Sequence, residues 1–183
     1  MTALRKRTNR ITAAGIIFTL AAGTLLHFVY EWTGNSIAAA LISAVNESIW
    51  EHIKLLYVPV ILFIITGSFT FAKKIKTFIP AMTLGLYAGA AFIPTAYYTY
   101  SGILGMRHIA ADISIFIISV LITFFTARHR ILKQEPALQK GTIVSIAMLA
   151  LITAAIVYFT FDPPHIPLFK DYVTGDYGIP FNG

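Results

Sequence analysis

The chain has 183 residues, 57% of them hydrophobic and only 12% charged, with a mean hydropathy of +0.74. A soluble domain is roughly half apolar and about a quarter charged, so this composition points to a membrane protein. The absence of cysteine excludes disulfides and thiolate metal sites, and topology accounts for the net charge of +6 without nucleic acid.

About 20 apolar residues cross roughly 30 Å of hydrocarbon. A basic amino terminus, residues 1–10 with Arg5, Lys6, Arg7 and Arg10, precedes the first such span at 11–31, whose main interruption is His27. This stretch is too long for a signal core and runs into "LLHFVYEW" rather than a small-residue cleavage site, so it is expected to remain as a span. Residues 35–45, "NSIAAALISAV", are too few to cross and are expected to form a short amphipathic or re-entrant piece. Non-helical backbone there must be buried in protein or line a wet cavity.

The second span, 46–72, opens with "VNESIWEHIKLLYVP". Asn46 is the expected N-cap, with Glu47 in the first turn and Pro59 as a kink near the middle. The third span, 77–99, carries the small residues of "GLYAGAAF", which favour close helix packing, and "SGILG" follows as a turn. The fourth, 108–127, qualifies if Asp112 is accepted within it, and the fifth covers 141–161. The tail, 162–183, is rich in proline, glycine and aromatics and is expected to lie either as an extended flap over one mouth of the bundle or as a frayed terminus. The expected fold is an all-α polytopic membrane helix bundle, a single domain over 11–161 with five transmembrane helices.

Lysine and arginine between spans set orientation. Arg5, Lys6, Arg7, Arg10, Lys73, Lys74, Lys76, Arg128, Arg130, Lys133 and Lys140 fall on one side, eleven of the fourteen cations. That side is the expected cytoplasm, with the amino terminus in, the carboxyl terminus out, and the cell membrane as the location. The other side receives Lys54, Arg107 and Lys170, seven of the eight acids, and four of the five histidines.

At about 1.5 Å per residue, His27 lies roughly 25 Å above Arg10, His52 roughly 31 Å above Lys73, and His108 roughly 30 Å above Arg128. Acid and imidazole from three helices therefore meet at one level near the outer boundary. His27 and Glu31, His108 and Asp112, and Glu47 and Glu51 are each i,i+4 pairs sharing a helical face, and Ser48 and His52 form a fourth. The bland alternative treats Glu51 and Lys54 as an exposed i,i+3 pair of little consequence and the nearby Trp and Tyr residues as an interfacial belt. Ionisable groups at membrane depth are costly and serve function, which favours a site.

The motifs "HFVYEW", "VNESIWEHIKLLYVP", "YYTYSGILG" and "FDPPHIPLFKDYVTGDYGI" together resemble a family of small bacterial membrane proteins classed as a domain of unknown function. The resemblance spans residues 27–179 and implies that the four motifs belong together, but it supplies no activity. The spacing of Ser48 and His52 is also similar to the Ser-x-x-x-His pair of zinc membrane hydrolases of the ceramidase and adiponectin-receptor kind. Those proteins have seven spans and a late His-x-x-x-His pair, where this chain has His108 and Asp112.

Three functions compete. In the first, His27, Glu31, His52, His108 and Asp112 supply metal ligands suited to zinc or iron, and Glu47, Glu51 and Ser48 are the catalytic candidates. The substrate would be a lipid or lipid-like molecule, so membrane lipids are the expected partners. In the second, the acids and imidazoles are a proton relay in a transporter or small channel. In the third, they belong to a non-catalytic membrane subunit or a pH sensor.

Overall fold

Five apolar stretches become five long helices in the computed structural model, which describes residues 2–72 and 74–179. Lys73, counted above among the cytoplasmic cations, and residues 180–183 of the tail lie outside the described residues. The chain runs α1 (Ala3–Trp32), α2 (Ile37–Ala40), α3 (Ile49–Thr70), α4 (Phe78–Leu104), α5 (Ile109–Lys133), α6 (Pro136–Lys140) and α7 (Thr142–Phe161). A 3-10 turn at Pro167–Phe169 follows in the tail. Helices α1, α3, α4, α5 and α7 are long and apolar enough to cross a membrane, and no strand occurs among the described residues.

Helix α3 is the central element, packing against α1, α4 and α5. Leu56, Val60 and Ile64 on α3 join Phe78, Met82 and Leu86 on α4 and Val120 and Phe124 on α5 in one buried cluster. The closest pairing is α4 with α5, and glycine makes it possible. A Cβ on Gly85 would strike the Thr123 carbonyl, and one on Gly89 would strike Thr123 Oγ1 and the Ser119 carbonyl. The small residues of "GLYAGAAF" thus allow two backbones to touch, as their pattern indicates. Helix α7 lies at the margin, with Ile143, Val144 and Leu151 exposed. Tyrosines fasten it: Tyr87 donates to the Met148 carbonyl at 2.8 Å, and the Tyr57 hydroxyl bonds Thr153.

Capping moves the end of α4 and the start of α3 from their sequence-based expectation. Helix α4 continues through Ser101, Gly102, Ile103 and Leu104, and the turn waits for Gly105, whose φ of 67° provides a left-handed C-cap. Helix α3 begins at Ile49, because Ser48 rather than Asn46 is its N-cap: Ser48 Oγ accepts the Glu51 N–H at 3.3 Å. Asn46 acts two residues earlier, its Oδ1 accepting the Ser48 N–H at 2.9 Å in an Asx-type turn. Helix α3 also runs on through Pro59.

The short piece between α1 and α3 turns back at Gly34 and Asn35, both left-handed, and contains only the four-residue α2. Its irregular backbone is held by two charged side chains of α3. Lys54 Nζ donates to the carbonyls of Ala40 at 2.9 Å and Ser43 at 3.2 Å, and Glu51 Oε2 accepts the Val45 N–H at 3.0 Å. Lys54 Nζ and Glu51 Oε2 stand 2.6 Å apart. This is not an exposed pair: Lys54 is 0% and Glu51 2% exposed. The i,i+3 spacing puts both on the face of α3 that meets this irregular piece, so each charge neutralises the other and satisfies backbone as well.

Removing one member strands the other, which costs about 3–5 kcal/mol for a buried pair. Lys54→Met should therefore lower the thermal midpoint in detergent sharply, while Glu51→Gln combined with Lys54→Met should recover part of the loss. Gly89→Leu should abolish the folded bundle in size-exclusion and thermal assays. Gly102→Ala, where nothing lies within 4 Å of the added Cβ, should be neutral or stabilising by roughly 0.4–1 kcal/mol.

Candidate functional site

Because Ser48 caps α3, Glu47 lies just before the helix, and its side chain turns toward α1 and α3 rather than sharing a helical face with Glu51. There it meets two imidazoles. His27 Nε2, from α1, is 3.6 Å from Glu47 Oε1, and His52 Nε2, from the first turn of α3, is 3.8 Å from Glu47 Oε2. The two imidazole rings meet edge to face with centroids 5.8 Å apart. One ligand atom from each of His27, Glu47 and His52 fits within a common 4.8 Å. Donors about 2.0–2.2 Å from a shared tetrahedral ion stand roughly 3.3–3.6 Å apart, so the group is close to coordination distance.

Each donor is held from behind. His52 Nδ1 donates to the Ser48 carbonyl at 2.8 Å, and in the neutral ring that leaves a lone pair on Nε2, facing Glu47. His27 stacks on Phe28 at 5.2 Å. Glu47 is fixed through its backbone: its N–H donates to Asp171 Oδ2 at 3.4 Å, and neighbouring Asn46 Nδ2 donates to the Gly178 carbonyl at 2.8 Å. Both acceptors belong to the tail. Asp171 is itself buried and rigid, with Oδ1 accepting the N–H groups of Val173 and Thr174.

The tail reaches this position by its aromatics, Phe169 packing on Trp50 and Phe159, and Tyr172 on Tyr97. The expected flap is therefore a packed segment joined to the backbone that carries Glu47.

A cleft of about 350 Å³ opens at the three donors, lined also by Arg107 and Asp112. Its remaining wall is mostly apolar: Phe28 beside Gly23 and Thr24 from α1, Leu55 from α3, and Ile109, Ile113 and Phe116 from α5. Phe28, Ile109 and Ile113 are exposed at its rim. On the other side of His27 and Glu47 lies a second hollow of about 450 Å³, lined by Glu31, Asn35, Asn46 and Asp171. His27 and Glu47 thus line both the cleft and this second hollow, a vestibule with Glu31 and Asp171 in its wall.

The other residues singled out by spacing take different places. Glu31 is exposed, one turn beyond His27, and faces the vestibule. His108 is the extended N-cap residue of α5, so it does not share a helical face with Asp112; it is exposed, and the cleft lining does not include it. Asp112 does enter the cleft, where it accepts from the Tyr100 hydroxyl and from Arg107 Nη2 at 3.2 Å. Glu51 is engaged by Lys54, and the Ser48 hydroxyl by the helix cap.

Arg107 is the residue that spacing did not single out. Partial burial disfavours its charge, but Tyr97, Asp112 and Glu47 favour it, and the balance lies above the ordinary arginine value. It is a fixed cation in the cleft. Burial also pushes the Tyr172 hydroxyl up, which keeps it neutral beside the guanidinium. The available signal was its position as one of the three cations on the acidic side of the chain, beside "MRHIAAD".

No curated protein and no solved structure matches the chain. A family model described as "Family of unknown function (DUF6512)" matches residues 2–179, and the chain belongs to that family.

Proposed function

We propose that this is a multi-pass membrane protein holding a divalent metal on His27, His52 and Glu47 near the outer boundary of the cell membrane. The reading continues to a metal-dependent hydrolase acting on lipid-like substrates. The observation that carries it is the convergence of two imidazoles and one carboxylate on a cleft with an apolar, exposed rim. Two histidines and a glutamate with a fourth position open are a donor set of catalytic zinc, whereas structural zinc is closed by four protein ligands. The same donors suit iron(II).

Orientation follows from charge. Arg5, Lys6, Arg7, Arg10, Arg128, Arg130, Lys133 and Lys140 belong to the cytoplasmic side by the positive-inside rule, so the donors face outward. A metal there would lower the pKa of a bound water and polarise an ester or amide oxygen. The chain's own residues do the rest: Phe28, Ile109 and Ile113 admit an acyl chain from the bilayer side, and the vestibule admits water. Asp112 is the second carboxylate of the cleft, held there by Arg107 and the Tyr100 hydroxyl, whereas Glu51 is engaged by Lys54. A proton-coupled carrier would need ionisable stations along the bundle, and the buried polar groups of α1, α4 and α5 away from the cleft are the hydroxyls of Thr8, Thr12, Thr19, Thr83, Ser119 and Thr123.

Protein purified in uncharged detergent without chelator should carry stoichiometric zinc or iron by elemental analysis. His27→Ala, His52→Ala and Glu47→Ala should each lose it while keeping the wild-type elution profile, and His108→Ala should keep it. A metal-free wild type that does not take up zinc on titration rejects the reading. Asp171→Asn removes a carboxylate that holds the Glu47 backbone and should weaken zinc affinity by roughly 10–100-fold, measured by chelator competition.

A further inference from the structure

Arg107, between α4 and α5, is built into the cleft more firmly than a loop arginine needs to be. Its guanidinium carbon lies 5.8 Å from the Tyr97 ring centroid and 5.1 Å from that of Tyr172, so α4 and the tail each present an aromatic face to it. Asp112 takes one N–H, from Nη2. Nε is buried with no hydrogen-bond partner among the described residues. Stacking engages the faces of a guanidinium and leaves its in-plane donors for an oxyanion. Arg107 lines both the main cleft and the small recess between His52 and Asp112.

Charge and shape then select the occupant. Glu47 and Asp112 are the carboxylates of the cleft; with a divalent ion on the donors, Arg107 and the ion outweigh them, and the cleft is left positive. A phosphate carries enough oxygens in a tetrahedron to reach a metal and a guanidinium together, with the bidentate geometry that arginine favours. The apolar wall of Phe28, Leu55, Ile109, Ile113 and Phe116 continues from the same point. Exposed Trp32 and Tyr98 mark this end of the bundle as the headgroup level, where lipid phosphates lie.

We infer that the cleft binds a phosphate-bearing amphiphile, with Arg107 selecting the phosphate and the α1 and α5 walls taking the chain. The inference names the substrate class of the proposed site and rests on that reading for its positive charge.

The test uses full-length protein in dodecyl maltoside, with metal content measured first. Dodecyl phosphate and inorganic phosphate are titrated separately and followed by the thermal midpoint, and both series are repeated after EDTA. The detergent itself is the uncharged-chain control. Dodecyl phosphate should raise the midpoint saturably, with inorganic phosphate weaker by about tenfold or more. Arg107→Gln should weaken dodecyl phosphate by about tenfold or more, and Arg107→Lys by less.

Ile113→Trp fills the exposed wall without touching Arg107, so it should weaken dodecyl phosphate and leave inorganic phosphate unchanged. That variant decides the matter if the arginine variants do not fold. The inference is overturned if wild type shows no saturable shift in either metal state, or if Arg107→Gln or Ile113→Trp binds dodecyl phosphate as wild type does. Equal binding of inorganic phosphate overturns the amphiphile. Arginine-dependent binding to protein that takes up no metal would keep Arg107 as the phosphate contact and overturn the metal reading together with the net positive charge drawn from it.

Discussion

A backbone that turns back among apolar helices leaves amide and carbonyl groups beyond the reach of water, and in this protein Glu51 and Lys54 take them up. Three contacts from these two side chains, to Ala40, Ser43 and Val45, hold the only long irregular stretch between the first two spans. Burying either charge alone would be prohibitive, and burying both at 2.6 Å is tolerable because each has a second, backbone partner. The position of Glu47 depends on this arrangement, since the residue lies between the clamped Val45 and the cap at Ser48. Without it the carboxylate would belong to a mobile loop, and no fixed donor set would form.

The three donors are therefore anchored by different means. His27 sits on a long helix, His52 in the first turn of the central one with its tautomer set by the Ser48 carbonyl, and Glu47 on a segment fixed from both sides. The second clamp on that segment is the tail, through Asp171 and Gly178. Such an arrangement places a rigid site at the end of a bundle while leaving the space between α1 and α5 to apolar side chains. Arg107 joins the two parts, paired with Asp112 of α5 and stacked on Tyr172 of the tail.

The five long helices were legible because lipid allows few alternatives: long uncharged runs must be helical, and their ends are marked by charge. The matched level of His27 and His52 was legible too, since it follows from helical rise alone. The approach of Glu47 to the two imidazoles was not, because it depended on one capping decision. Moving the cap from Asn46 to Ser48 takes Glu47 off the helix and toward the imidazoles, and both residues are good caps on composition. His108 shows the same limit at the start of α5, where a one-residue difference decides whether a side chain shares the face of Asp112.

The burial of Glu51 and Lys54 had a signal that spacing obscured. Lys54 is followed by "LLYVPVILFIITG", an unbroken apolar run, so it stands at membrane depth and cannot be a freely solvated partner. What it would bond could not be read locally, because Ala40 and Ser43 offer only carbonyl oxygens, and any residue has one. Arg107 was hidden for a similar reason: its aromatic partners Tyr97 and Tyr172 are far apart in the chain.

The central claim is that His27, His52 and Glu47 together bind a metal ion. X-ray absorption at the metal edge of the zinc-loaded protein addresses it directly. Two imidazole nitrogens should stand about 2.0–2.1 Å from the ion, with carboxylate or water oxygens completing the shell, and His52→Ala, which loses the ion, should give no such shell. A shell of oxygens alone, identical in wild type and His52→Ala, would contradict it.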